Sequence, residues 1–245
     1  MIALRAGIIN EIDKLFGRKK YMVLLLVIGV ASLGIGFLGK FANNLIGISL
    51  SGLPLTVLSI ATSFVLPLII FMVVADLFTA EQENGSIRAI VIRPVSRMSI
   101  FIAKALSIEI YSLAVLSVCF ITSVFIVLIF GEITASNIVE TFLAYLVSFV
   151  PILPIILFSA VISQMSKTSS AAVMLSVLCY IVIIAVCTLV PGIYSLFFTS
   201  YTGWYKLFIG ASMPIISILN IFAILMAYSL IFFALGSFLF EKKEY

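Results

Sequence analysis

The chain contains no histidine, a single tryptophan and three cysteines, and only 10% of its residues are charged. Without histidine the commonest general base and metal ligand is missing. No grouping of Cys, Asp and Glu with ligand spacing replaces it. Hydrolase chemistry within a membrane is therefore set aside. Cys119, Cys179 and Cys187 all fall in apolar stretches and read as small packing residues. The shortage of charge is the most informative absence. A soluble domain carries about 25% charged and roughly 45–50% apolar residues, whereas this chain is 64% hydrophobic with mean hydropathy +1.35. A water-soluble fold is excluded.

A spanning helix needs about 20 mostly apolar residues, because in hydrocarbon every backbone N–H and C=O must be satisfied within the helix. Six such stretches are present, running from Tyr21 to Gly39, Leu53 to Ala75, Ala105 to Phe130, Thr141 to Ile162, Ser170 to Gly192 and Pro214 to Phe240. The expected fold is thus all-α, a polytopic membrane protein. Residues 1–20 form an interfacial amphipathic helix, 21–240 a six-helix transmembrane domain, and 241–245 a tail. The first stretch exceeds a signal-peptide core of 7–15 residues and no A-x-A-like cleavage site follows it, so it reads as a retained anchor.

Lys and Arg are retained on the cytoplasmic side of short loops. Arg5, Lys14, Arg18, Lys19, Lys20, Arg88, Arg93, Arg97, Lys104, Lys167, Lys242 and Lys243 fall on one side, and Lys40 and Lys206 on the other. With six spans this puts both termini in the cytoplasm of a multi-pass plasma-membrane protein. The net charge of +4 is accounted for by topology and requires no nucleic-acid partner.

Before the first span, Leu4, Ile8, Ile12, Leu15 and Phe16 recur at helical spacing while Glu11, Lys14 and Arg18 occupy other positions. Such a helix lies in the inner interface against anionic lipid, as a topogenic anchor or as a docking surface. Pro54 suits a first-turn position, Pro67 predicts a kink, and Pro151 with Pro154 predicts a bent or broken fourth span, a gating element or an ordinary proline-containing helix. Tyr194, Phe197, Phe198, Tyr201, Trp204, Tyr205 and Phe208 crowd the loop before the last span. They form either an aromatic belt at the interface or short re-entrant helices capping an exit route. Glu109 is the one carboxylate inside a span; it points to an ion relay or, as helix-end residues do, to a solvated or paired group.

Gly34 to Lys40 fits the first seven positions of the phosphate-loop pattern G-x-x-x-x-G-K-[ST]. Phe41 stands where the hydroxyl belongs, however, and no strand–helix unit surrounds it. Ser32 and Gly36 instead have the small-xxx-small spacing of close helix packing.

The longest loop, Asp76 to Lys104, carries the functional signal. The second span continues through Glu81 and Glu83 and stops at Asn84-Gly85. Ser86 to Ile92 forms a short helix bearing Arg88, Pro94 ends it, and Ser96 caps the next helix, on which Arg97 and Lys104 share a face. The segment resembles the first cytoplasmic loop of ABC type-2 permeases, the membrane subunits of type V ABC exporters. In that family acidic residues precede Gly-Ser/Thr, an apolar run, Pro-x-Ser-Arg and then Lys. The matching positions are Glu81, Glu83, Gly85, Ser86, Pro94, Ser96, Arg97 and Lys104; Arg93 before Pro94 departs from the pattern. The N-terminal helix, the six spans and the outer loop before the last span match as well.

The resemblance implies a permease that docks a separate ABC ATPase through this loop and the N-terminal helix, pairs with a second permease copy as a homo- or heterodimer, and leaves ATP and Mg²⁺ to the partner. The chain itself would hold no cofactor or metal and catalyse nothing. Glu81, Glu83 and Arg97 would hold the docking elbow. The apolar spans favour a hydrophobic or amphiphilic export substrate such as a peptide, an antibiotic or a lipid-like molecule. The competing class is a secondary transporter or channel that works without ATP.

Overall fold

The computed structural model describes residues 2–41, 52–86, 96–130, 135–210 and 214–243, and among these there is no strand. Six helices are long and apolar enough to cross a membrane: Lys19–Gly39, Leu53–Glu83, Arg97–Phe130, Asn137–Met165, Ser169–Leu189 and Ile215–Lys242, here spans one to six. The N-terminal helix Ile2–Gly17 precedes them. The protein is an all-α polytopic membrane protein, as the composition requires.

Spans two and three outlast their apolar stretches. At 1.5 Å per residue, the 31 and 34 residues of these helices reach about 46 and 51 Å, against a hydrocarbon core of about 30 Å. The surplus lies at the end carrying Glu81, Glu83 and Arg97. Span two stops at Glu83, and Gly85 takes φ +68, the left-handed conformation that glycine adopts without a Cβ penalty.

Span two is not a uniform α-helix. Pro67 has no N–H to offer the carbonyl of Ser63, and the π turn Ala61–Val65 lies immediately before it, with the Leu66 N–H bonded back to Ala61 O. A second π turn, Ala75–Thr79, precedes the final turn Ala80–Glu83. Span four is broken as expected: one helix ends at Val147, and the next runs Ile152–Met165 with Pro151 at its N-cap and Pro154 in its first turn. There a missing N–H leaves no bond unmade.

The centre of the bundle is spans two and four, each 61% buried over its apolar window, whereas span six is 11% buried. Small residues seat span one on span three. A Cβ added at Gly29 would come within 3.3 Å of Val118, and one at Gly36 within 2.2 Å of the Ile126 Cδ1. Ser32 and Thr122 bond to each other between those two contacts. Gly36 of the phosphate-loop lookalike is therefore a helical packing residue, whereas a Cβ at Gly34 would meet nothing within 4 Å. The aromatic loop is ordered as three short 3-10 turns, Pro191–Leu196, Phe198–Tyr201 and Trp204–Phe208. Phe198, Trp204 and Tyr205 are buried, and Phe198 packs on Phe158, Tyr228 and Phe232 of spans four and six.

Candidate coupling site

Glu81, in the last turn of span two, is the centre of a buried group of charges. Its Oε2 receives a hydrogen bond from Lys104 of span three at 2.6 Å, and its Oε1 one from Lys14 of the N-terminal helix at 3.1 Å. Glu11 completes the group, accepting from Lys14 at 2.6 Å and from Lys104 at 3.4 Å. Two lysines and two glutamates, 67 and 93 positions apart in sequence at the widest pairings, thus close into one neutral cluster.

Lys104 shows how the cluster is made bearable. It is 0% exposed, and an ammonium in such a place is tolerated only with partners for its charge and for its protons. All three N–H groups find acceptors: Glu81, Glu11 and the carbonyl of Leu77 at 2.8 Å. The Phe78 ring lies 5.8 Å from the same nitrogen. For Lys14, burial alone would lower the pKa, but the carboxylates of Glu11 and Glu81 outweigh it and hold the ammonium above its ordinary value.

The rest of this end of span two is tied down residue by residue. Asp76 is paired with Lys20 and with the Tyr21 hydroxyl of span one. Thr79 donates to the Ser163 carbonyl at 3.0 Å, and Gln82 to the Gln164 side chain at 2.9 Å, both in span four. Glu83 accepts the N–H of Ser169, the first residue of span five, at 3.0 Å. A carboxylate there also meets the positive end of that helix. Lys243, just past span six, donates to Gln82 and to the Gln164 carbonyl, each at 2.6 Å. Through these bonds the last two turns of span two reach every other span and the N-terminal helix.

Of the residues expected on the N-terminal helix and the 76–104 loop, Glu11, Lys14, Glu81 and Lys104 come together. Glu83 and Arg97 do not join them. Arg97 donates to the carbonyls of Glu241 at 2.6 Å and Lys243 at 2.9 Å, which end span six without helical partners of their own. Arg97 and Lys104, expected on one face, therefore serve different neighbours. Ser96 caps span three, accepting the Ser99 N–H at 3.3 Å, and Ser86 donates to the Glu81 carbonyl at 3.3 Å. Arg18 sits at the bend between the N-terminal helix and span one and is exposed. Arg88 and Pro94 lie outside the described residues. Pro151 and Pro154 occupy the break in span four, and Trp204 is buried in the third 3-10 turn.

Glu109 requires a correction. Of its two readings, an ion relay or a solvated or paired helix-end group, the solvated one does not hold: it is 4% exposed and its Oε2 has no hydrogen-bond partner among the described residues. Span three begins at Arg97 rather than at Ala105, so Glu109 lies three turns inside the helix. Sequence reasoning gave no pairing role to Gln82, Gln164, Thr79 or Lys243, for nothing local to a helix-end side chain says which element it faces. Lys104 did give one. A lone lysine in the apolar run Phe101 to Ile108 must be paired, and the acidic residues at the end of the preceding helix, Glu81 and Glu83, were its candidates.

Residues 8–183 match the family model described as ABC-2 family transporter protein. The chain belongs to that family. The match takes in every member of the charge cluster and the first four spans with most of the fifth. As an ABC-2 protein the chain is the permease component of an ABC transporter, a membrane subunit that works with an ABC ATPase. No curated protein matches it. In this ABC-2 permease the site holds structural elements together; it contributes position and stiffness.

Proposed function

We propose that this permease exports an amphiphilic substrate from the cytoplasm or inner leaflet, with ATP hydrolysed by a separate subunit that docks on the N-terminal helix and the 76–104 loop. The observation that carries the proposal is the cluster of Glu11, Lys14, Glu81 and Lys104. It joins the two expected docking elements, the N-terminal helix and the extension of span two, to span three. A push on either element then moves both, and the buried charge pairs resist their separation.

The orientation follows the lysine and arginine count, with both termini and this end of the bundle in the cytoplasm and the aromatic turns outside. The plasma membrane is the site of action. ATP and Mg²⁺ belong to the ATPase. The permease pairs with a second copy or a related permease, and its sparsely buried outer spans are left to that partner and to lipid. The break at Pro151 and Pro154 gives span four a hinge beside the centre of the bundle, and the buried Trp204 closes the outer end.

The test is purification with the products of neighbouring genes. Stable recovery of an ABC ATPase whose hydrolysis depends on this chain supports the proposal, and recovery of the permease alone counts against it. Glu83→Lys and Arg97→Glu address docking specifically: association and coupled hydrolysis unchanged in both would remove the loop from the interface. Glu109, buried with an oxygen that has no partner among the described residues, favours a second reading, an ion-driven transporter. That reading requires transport that persists without any ATPase and fails in Glu109→Gln.

A further inference from the structure

At the end of the bundle away from the charge cluster, a cavity of about 560 Å³ opens between spans two, five and six and the 3-10 turns. Its lining differs from the spans around it. Ser59 and Ser63 of span two face Tyr180 and Thr188 of span five across it, and Ser200, Trp204 and Lys206 come from the turns. Lys206 is its one cation, and no acidic side chain lines it among the described residues.

Two of the lining residues each carry a buried polar atom without a hydrogen-bond partner among the described residues, the Trp204 Nε1–H and the Ser200 Oγ. The indole N–H can only donate, and a buried donor left unmet is costly. Trp204 itself is held firmly, 6% exposed, with Phe208 at 5.1 Å edge-on and Phe222 stacked at 6.3 Å. Pockets that combine apolar walls with a few fixed polar groups orient a ligand by those groups. Here the fixed groups are donors beside a positive charge, and Ile184, Leu207 and Ile221 supply apolar wall.

We propose that this cavity binds the anionic, phosphate-bearing headgroup of an amphiphile, its oxygens accepting from Trp204 and Ser200 beside the Lys206 ammonium and its chain lying along spans five and six. The inference deepens the exporter reading by naming a ligand class and rests on it only for the ligand's arrival at the outer end. The amphiphile is either cargo or a lipid of the outer leaflet.

The chain's single tryptophan lies in the site, so its emission reports binding directly. Full-length protein in a nonionic detergent is titrated with a short-chain phosphatidylglycerol, a short-chain phosphatidylcholine and inorganic phosphate. A saturable emission change is expected with phosphatidylglycerol, at least about tenfold stronger than with the zwitterion. Lys206→Gln, at an exposed position, should weaken it about tenfold. No saturable response, equal response to both lipids, or an unchanged Lys206→Gln variant overturns the proposal; so does inorganic phosphate binding as tightly as the lipid, which would make the tail irrelevant. With the ATPase present, stimulation of hydrolysis by phosphatidylglycerol marks cargo, and binding without stimulation marks a leaflet lipid. If no ATPase is ever recovered, the titration still decides the site.

Discussion

Replacing Lys104 with methionine keeps the length and apolar stem of the side chain and removes only its charge and three donors. Glu81 and Glu11 then share Lys14 as their one cation, and the Leu77 carbonyl loses its side-chain donor. Breaking a buried pair costs about 3–5 kcal/mol. The lower figure applies because Lys14, 27% exposed at its side chain, still screens both carboxylates. For a chain of this size about 3 kcal/mol lowers the thermal midpoint by roughly 6–12 °C. Thermal unfolding of the detergent-purified protein, followed by size-exclusion recovery, measures it. The pairing argument further requires that Lys104→Met with Glu81→Gln recover part of the loss, with a coupling energy of about 2 kcal/mol. A fall of less than about 2 °C in the single variant, or strictly additive losses in the double, refutes the cluster as a clamp.

Lys14 is held above its ordinary value of 10.5, so its contribution to stability is fully present below that pH and is lost as pH rises through the higher folded value. The fall in thermal midpoint above pH 10.5 should accordingly be shallower in Lys14→Met, and identical alkaline slopes would contradict the assignment. Gly36→Leu drives a side chain into Ile126. It should cost about 1–3 kcal/mol and be partly relieved by Ile126→Ala, with no relief counting against the packing account. Glu109→Leu removes a carboxyl whose Oε2 has no partner among the described residues and is expected to raise the midpoint, since such a group costs about 1–3 kcal/mol; a lower midpoint would reveal a partner for it. Arg97→Ala frees the carbonyls of Glu241 and Lys243, and trypsin should then cut at Lys242 and Lys243 faster than in the parent protein. Equal cutting rates would show that Arg97 does not hold the tail.

Hydropathy revealed the six spans because lipid imposes one rule on all of them. Their ends were less legible. Span three extends below Ala105 with residues as polar as Lys104 and Arg97, whose charges are met by other helices rather than by water. The helix stop at Gly85 and the break at Pro151 could be read because glycine and proline act through their own backbones. The cluster could not, since nothing local brings Glu11 to Lys104. Of the three expected elbow residues only Glu81 entered it, while Glu83 and Arg97 went to the ends of spans five and six, where unpaired backbone groups attract charge of the appropriate sign.

The two π turns of span two have a consequence for register. Each holds one residue more than the α-helix needs at that place, and one residue turns everything beyond it by about 100° around the helix axis. The direction in which Glu81 points is therefore set by insertions at Ala61–Val65 and Ala75–Thr79 as much as by its own identity. Deleting one residue from Ala75–Thr79 would leave the composition of the span almost untouched and swing the carboxylate away from Lys104. Lengthening or shortening this helix by single residues is thus a dial on which neighbour its last turn engages.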